Sequence, residues 1–241
     1  MTNYTRLPLA GSFNTRELGG YPVKQGITQF QKFLRSDSLS DLTEQDLTFL
    51  ENYGVRTIVD LRSDSEVRES ANPSSPLIQN LHIPLVTGNV ADATKDITKE
   101  MNYSMGSFYV DCLKRYPDSL VNIFEAFAES EGCILFHCAA GKDRTGIVAA
   151  FLLELAGVCQ ADIIANYQIT HTYLKANPNF MRAHGSYPVE MSYSLPSYIE
   201  EALDYLHSYH ESAENYLRSF GVAQAVLTEL KDRMVPNKIL V

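Results

Sequence analysis

The chain has 241 residues, of which 45% are hydrophobic and 20% are charged, and its formal net charge at pH 7 is −9. That composition is ordinary for a globular protein, and the negative charge argues against nucleic acid as a partner. An anionic substrate is not excluded, because a few positive side chains or N–H groups that point into a site make it locally positive on an acidic protein.

The cysteines and the apolar stretches indicate the redox state and the location to expect. The four cysteines match no zinc spacing, and the chain is too long for a fold that depends on disulfides. Residues 1–12 lack the pattern of a signal peptide, and the apolar stretch 147–158 is too short to span a bilayer. We therefore expect one domain over 1–241, located in the cytoplasm, with reduced thiols, no metal, no other cofactor and no stable membrane insertion.

The first predicted elements are a capped helix and two short strands. Thr43 is placed as the N-cap of a helix, Asp46 stands at its third position, and Gly54 is placed to end it. Residues 55–61 form a β-branched run that predicts a buried strand. Residues 77–85 predict another strand.

Farther along, helical patterns alternate with irregular stretches. The spacing of apolar residues predicts helices from Asp118 to just before Gly132, over 144–156, over 162–174, over 196–217 with a break near His210, and over 222–234. The stretches at about 86–106 and 177–196 predict lid or substrate loops. Strands that alternate with helices predict an α/β fold with a mostly parallel central sheet flanked by helices.

The segment 137–146, His-Cys-Ala-Ala-Gly-Lys-Asp-Arg-Thr-Gly, carries the strongest functional signal. An apolar run, 133–136, precedes it and an apolar helical pattern follows it, which predicts a strand, a tight loop and a helix. Cys138 begins that loop, and Arg144 stands six positions later at the start of the helix. In a parallel sheet both Asp60 and Cys138 lie at the carboxyl ends of strands, where ligands gather.

This loop offers the groups that a phosphate monoester needs. Arg144 supplies a planar, two-pronged donor, and Gly141 permits a turn that a side chain would obstruct. The helix dipole and the guanidinium both favour the thiolate form of Cys138, which is the nucleophilic form. Thr145 is placed to donate its hydroxyl to that sulfur. The backbone donors nearest the phosphate are expected to come from Ala139, Ala140 and Gly141.

These residues resemble the signature loop of the cysteine-dependent protein tyrosine phosphatase superfamily. The string Gly141-Lys142-Asp143 before Arg144 resembles its bacterial atypical branch, tyrosine phosphatase family 3, which includes dual- and triple-specificity enzymes. Three further blocks, 14–21, 34–40 and 59–62, resemble that branch in the same order. The resemblance implies the phosphatase fold and a metal-independent phosphatase with a phosphorylated protein or phosphoinositide as its substrate.

The resemblance also implies a role for each site residue. Cys138 would be the nucleophile, Arg144 the phosphate clamp, and Lys142 a positive charge at the pocket rim, as in phosphoinositide-processing relatives. Asp143 matches the position of the acid in myotubularin-like lipid phosphatases, while Asp111 and Asp118 stay open as alternative proton donors. Asp60 would anchor Arg144 from the neighbouring strand end.

Two functional hypotheses follow. The first is a hydrolase that removes phosphate from phosphotyrosine in proteins through a cysteinyl-phosphate intermediate, with phosphoinositides or phosphoserine and phosphothreonine as further substrates. The second is a non-catalytic module that binds phosphate. A thiol beside an arginine and an aspartate favours the enzyme, since binding alone needs no thiol.

Overall fold

The structure is a computed structural model that describes residues 3–86, 104–178, 180 and 192–235. Of the two predicted lid or substrate loops, residues 87–103, 179 and 181–191 lie outside the described residues. None of the helices in the described ranges combines the length and the apolar character needed to cross a bilayer.

The described strands form a five-stranded sheet and a separate two-stranded pair. In chain order the strands are β1 (Arg16–Glu17), β2 (Pro22–Val23), β3 (Gly26–Ile27), β4 (Phe33–Ser36), β5 (Val55–Asp60), β6 (Gln79–His82) and β7 (Cys133–His137). The large sheet has the order β1-β4-β7-β5-β6, and β2 pairs with β3. Within the large sheet only β1 runs antiparallel to its neighbour, so the predicted mostly parallel central sheet is confirmed.

Helices cover both faces of this sheet, as the α/β prediction required. The described helices are α1 (Glu44–Tyr53), α2 (Asp64–Glu69), α3 (Met105–Arg115), α4 (Pro117–Glu129), α5 (Asp143–Leu155), α6 (Gln160–Leu174), α7 (Pro196–His210), α8 (Ala213–Ser219) and α9 (Gln224–Met234). Alternate residues of β7 supply the two cores: Ile134 and Phe136 pack on one face, and Cys133 and Leu135 on the other.

Local signals account for several element boundaries. Thr43 accepts a hydrogen bond from the backbone of Asp46, whose carboxylate bonds back to Thr43, so the predicted cap of α1 is confirmed. Gly54 ends that helix in a left-handed conformation, as predicted. The predicted break near His210 is also present, between α7 and α8. The strand predicted over 77–85 is shorter, since only Gln79–His82 pairs with β5.

The strand register decides where the functional residues lie. Ser36 at the end of β4 and Asp60 at the end of β5 both pair with His137, the last residue of β7. Cys138 therefore emerges from the middle of the sheet, between two other strand ends. This confirms the expectation that Asp60 and Cys138 share the carboxyl edge of the sheet.

Candidate active site

Cys138 lies between the end of β7 and the N-terminus of α5. Its side chain is buried, with 2% of the residue exposed. The loop that follows is short, since α5 already begins at Asp143. The positive end of the α5 dipole therefore faces the loop that holds the sulfur.

Gly141 makes the tight turn of this loop. Its φ of 65° lies in the left-handed region, and a Cβ built on it would come within 2.3 Å of the Ser36 carbonyl oxygen. A side chain at this position would therefore push the loop off the end of β4. The backbone of Ser38 also holds the loop, because its N–H donates to the carbonyl of Ala139 at 2.8 Å.

Two buried side chains hold the loop carbonyls from outside. Asn14 Nδ2 donates to the carbonyls of Ala140 and Gly141 at 3.0 and 3.1 Å. Arg35 Nη2 donates to the carbonyls of Gly141 and Lys142 at 2.7 and 3.4 Å. In a planar trans peptide the N–H points opposite to the C=O. The N–H groups that follow these carbonyls in the loop therefore point away from Asn14 and Arg35. Several N–H groups that point the same way favour the binding of an anion.

Arg144 is held at the start of α5 by a carboxylate from another helix. Its Nη1 and Nη2 donate to the two oxygens of Glu66 at 2.6 and 2.7 Å, and Arg144 is 5% exposed. Burial alone would raise the pKa of Glu66, but the hydrogen bonds from Arg144 outweigh it and bring that pKa down to about 2. Glu66 is therefore ionised and fixes the direction of the guanidinium.

The prediction that Asp60 anchors Arg144 is wrong. The Asp60 carboxylate instead accepts hydrogen bonds from Arg62, at 2.7 to 3.1 Å, and from Asn72 at 3.0 Å. Burial would raise the pKa of Asp60, but the hydrogen bonds and the positive charge of Arg62 outweigh it and lower that pKa. In the described structure Asp60 organises the end of β5.

His137 holds the strand end next to Cys138. Its ring is fully buried; Asn72 Nδ2 lies 3.0 Å from Nε2, and Nδ1 lies 3.0 Å from the carbonyl of Cys138. Since an amide NH₂ only donates, Nε2 is the acceptor and Nδ1 donates to that carbonyl. Burial lowers the pKa of His137 to about 4, against the opposing effect of Asp60, so the ring is neutral at pH 7.

Asp143, the residue before Arg144 in the chain, is held by a buried tyrosine hydroxyl. Its Oδ1 accepts a hydrogen bond from the hydroxyl of Tyr109, which lies 2.5 Å from the hydroxyl of Tyr167. Burial and the Asp143 charge raise the pKa values of both tyrosines, so both stay protonated. The Asp143 carboxylate thus has one oxygen engaged by a buried donor, and its side chain is 26% exposed.

Two expected contacts are different in the structure. Lys142 is 2% exposed, and its Nζ donates to the carbonyl of Tyr193 at 3.0 Å and lies 3.3 Å from Asp143 Oδ1. Its charge is therefore buried beside Asp143 rather than at an open rim. The Thr145 hydroxyl is also buried and makes no hydrogen bond within the described part of the chain, so the expected bond to the Cys138 sulfur is absent.

The model of the tyrosine phosphatase family matches residues 7–236, which includes every residue of this site. The chain belongs to this family. The family resemblance drawn from the loop and the three sequence blocks is therefore confirmed, and with it the expectation of a cysteine-based phosphatase enzyme.

Individual relatives agree with this membership. The chain is 34% identical over 218 residues to a tyrosine-protein phosphatase of Nostoc commune, covering 84% of this chain and 74% of that one. It is 25% identical over 165 residues to the triple specificity protein phosphatase PtpB of Mycobacterium tuberculosis, covering 56% and 59%. The chain thus spans less than two thirds of the length of PtpB. Among solved structures it is similar to TpbA of P. aeruginosa, with a TM-score of 0.42, 16% identity and coverage of 78% and 86%.

The alternative acids of this phosphatase family member lie in other surroundings. Asp111 pairs with Arg115 at 3.5 Å on the same helix, α3. Residues two apart on a helix point in different directions, so Asp111 does not share the face on which Tyr109 meets Asp143. Asp118 lies in the first turn of α4, where a carboxylate stabilises the helix dipole.

Sequence reasoning missed Glu66 as well as the buried residues around the loop. The position of Glu66 could have been predicted in part. Ser63 and Glu66 form a capping box, a pattern that predicts the start of a helix directly after β5. Asn14 and Arg35 stood within blocks that matched the family but suggested no contact with the loop. Tyr109 and Tyr167 had no signal, since single tyrosines in helical patterns are ordinary core residues.

Proposed function

We propose that this chain is a phosphomonoester hydrolase that removes phosphate from phosphotyrosine in proteins, with Cys138 as the nucleophile. One observation supports this above all others. The loop after Cys138 has its carbonyls held from outside by Asn14 and Arg35, while Arg144 is fixed at the loop end by Glu66. A thiol enclosed by such donors faces the position of a bound phosphate.

The proposed reaction has two displacements at phosphorus. The Cys138 thiolate attacks phosphorus in line; the S–P bond forms as the bond to the ester oxygen breaks, and that oxygen leaves with a proton. Water then attacks the cysteinyl phosphate and the S–P bond breaks. Inorganic phosphate is released, and the thiolate is regenerated. Arg144 and the loop N–H groups stabilise the equatorial oxygens in both steps.

We propose Asp143 as the donor of the leaving-group proton. Tyr109 donates to Oδ1, and Lys142 also lies on that oxygen at 3.3 Å. A proton on the carboxyl group is therefore directed to the other oxygen, Oδ2. In the second step the resulting carboxylate accepts a proton from the attacking water, so the group returns to its starting state.

The burial of the nucleophile supports phosphotyrosine over shorter phosphoamino acids. Cys138 is 2% exposed, so a phosphate must enter a recess to reach its sulfur. The phenyl ring of phosphotyrosine carries the phosphate several ångströms farther from the peptide backbone than the single methylene of phosphoserine. The sequence expectation that phosphoinositides and phosphoserine or phosphothreonine are further substrates stays a prediction, as does the cytoplasmic location.

The test of the function is hydrolysis of para-nitrophenyl phosphate in the presence of a metal chelator. We expect turnover by the wild type and none by Cys138→Ser, since a hydroxyl at that position is a far weaker nucleophile. Cys133→Ser is the matched control, because that thiol lies in the core on the other face of the sheet. Phosphate binding without turnover by the wild type would instead support the non-catalytic module.

Substrate class is tested by a panel of equal concentrations of a phosphotyrosine peptide, a phosphoserine peptide and a phosphoinositide. We expect kcat/KM to be highest on the phosphotyrosine peptide. A higher value on the phosphoinositide would overturn the proposed substrate while leaving the chemistry of Cys138 in place.

A further inference from the structure

Arg35 is a buried cation whose hydrogen-bond acceptors, among the described residues, are all neutral. It lies on β4 and has no measurable solvent exposure. Its Nη2 donates to the carbonyls of Gly141 and Lys142, and its Nη1 donates to Asn166 Oδ1 at 2.6 Å. A buried charge is costly unless a counter-charge lies close to it.

Two other buried arginines near this edge of the sheet have carboxylate partners, whereas Arg16, which pairs in register with Arg35, has neutral acceptors in the described ranges. Arg62 pairs with Asp60 at 2.7 Å, and Arg144 pairs with Glu66 at 2.6 Å. In the described ranges, no carboxylate forms an ion pair with Arg35. Burial lowers the pKa of Arg35 to about 10, and Cys138 is the strongest of the groups that oppose this shift. Arg35 is thus still charged at neutral pH, with the sulfur as its main acidic neighbour.

We propose that Arg35 is a positioning residue that serves as the counter-cation of the Cys138 thiolate and holds the loop N–H groups toward the phosphate. This rests on the proposed function of the loop. In the free protein the negative charge of the thiolate offsets the positive charge of Arg35. In the complex the bound phosphate adds further negative charge. Arg35 acts through the loop and does not itself touch the substrate.

Several other groups face this sulfur or Arg35, and the test must separate them. They are Arg144 from α5, Tyr109 from α3 with Asp143 on its hydroxyl, Tyr167 from α6, Tyr21 from the N-terminal segment, His137 from β7 and Arg16 from β1. Asp143 is the one carboxylate of this set, so each measurement is repeated in an Asp143→Asn background. A shift that persists there does not come through Asp143.

The experiment measures the rate at which iodoacetamide alkylates Cys138 between about pH 4 and 9, by mass spectrometry of the peptide that contains it. The variants are Arg35→Met, Arg35→Lys and the matched control Arg233→Met. Arg233 also donates to two backbone carbonyls, those of Phe127 and Ser130, but these precede the start of β7 and are not part of the loop. The second readout is inhibition of alkylation by inorganic phosphate.

We expect the alkylation midpoint of Arg35→Met to move up by about 1 pH unit or more, and phosphate protection to weaken about tenfold or more. Arg35→Lys keeps the charge but loses the fork that spans two carbonyls, so its midpoint stays near the wild-type value while kcat falls. Arg233→Met lowers the thermal midpoint of unfolding and leaves the alkylation midpoint in place.

An unchanged alkylation midpoint and unchanged phosphate protection in folded Arg35→Met would overturn the proposal. If Arg35→Met does not fold, Arg35→Lys provides the test. An alkylation midpoint that moves up in Arg35→Lys, although the positive charge is retained, contradicts the counter-cation role. Neither readout needs turnover. A chain that binds phosphate but hydrolyses nothing would therefore refute the proposed function and still test Arg35.

Discussion

Glu66 and Arg144 form a two-pronged pair in which each terminal nitrogen of the guanidinium donates to one carboxylate oxygen, at 2.6 and 2.7 Å. A guanidinium has five N–H donors in one plane, and this pair uses one N–H of Nη1 and one of Nη2. The side of the group formed by Nε and one Nη still offers two parallel N–H donors to a phosphate. Glu66 therefore orients the clamp without taking the place of the substrate.

The Glu66–Arg144 pair makes stability depend on pH. Glu66 has a pKa of about 2 in the folded chain against an ordinary value of 4.5. Its stabilisation is therefore present above about pH 4.5 and is lost as the pH falls toward 2. We expect Glu66→Gln to lower the free energy of unfolding by about 1–2 kcal/mol at pH 7, since partial exposure of the carboxylate screens the pair.

Urea unfolding of the wild type and Glu66→Gln at a series of pH values checks this. The difference in unfolding free energy should be constant above about pH 5 and shrink below it. Glu69→Gln on the same helix serves as the control. A difference that stays the same down to pH 3 would contradict the assigned pair.

Replacement of Arg144 by lysine keeps the charge and removes the fork. We expect Arg144→Lys to lower kcat on para-nitrophenyl phosphate by at least about 100-fold, because an ammonium cannot bind two phosphate oxygens in one plane. Lys142→Arg is a useful comparison, since it alters a neighbouring cation that already lies beside Asp143. Near-normal turnover by Arg144→Lys would rule out the clamp.

The proposed acid is tested by changing the leaving group. Asp143→Asn should lower kcat about 100-fold or more on an alkyl phosphate and less than about 10-fold on para-nitrophenyl phosphate, whose leaving group needs little protonation. Asp111→Asn and Asp118→Asn should leave the ratio of the two rates near the wild-type value. Equal losses on both substrates in Asp143→Asn would assign the proton to another group.

Tyr109 positions the proposed acid through its hydrogen bond. Its hydroxyl donates to Asp143 Oδ1 and fixes the direction of the carboxyl group. In Tyr109→Phe, kcat on an alkyl phosphate should fall about 10-fold or more, and kcat on para-nitrophenyl phosphate should fall less because its leaving group needs little protonation. Tyr167→Phe removes a contact one step farther from Asp143 and should lower the alkyl phosphate rate less.

A wild-type rate on the alkyl phosphate in Tyr109→Phe would contradict this positioning role. The measurement is kcat on both substrates at one pH, since protonation of the leaving group matters most for the alkyl phosphate. Circular dichroism checks that the variant stays folded.

The parts of this fold that were predictable carry short-range signals. The capping box of Thr43 and Asp46, the left-handed Gly54 and the strand–loop–helix around Cys138 each depend on residues close together in the chain. The same is true of the catalytic loop, because its thiol, glycine turn and arginine lie within seven consecutive positions. The strand β4 was not predicted because it is only four residues long. The helix α3 was overlooked, although its buried residues Phe108, Cys112 and Leu113 follow helical spacing.

The mispredicted pair of Asp60 and Arg144 joins distant parts of the chain. Asp60 is next to Cys138 in the sheet, yet Arg62, two positions away, reaches its carboxylate first. Arg144 then pairs with Glu66, which stands 78 positions earlier. Which carboxylate meets which arginine depends on helix placement, and sequence spacing carries no information about that.

The amino-acid sequence by itself determined the family, the α/β layers and the residues of the loop, because these depend on local periodicity and on one contiguous motif. Only the tertiary structure decided what surrounds that loop: Glu66 on the arginine, Tyr109 on Asp143, and Arg35 behind the carbonyls. The physical reason is that buried polar groups must find partners, and the packing of whole elements selects which partners come within reach.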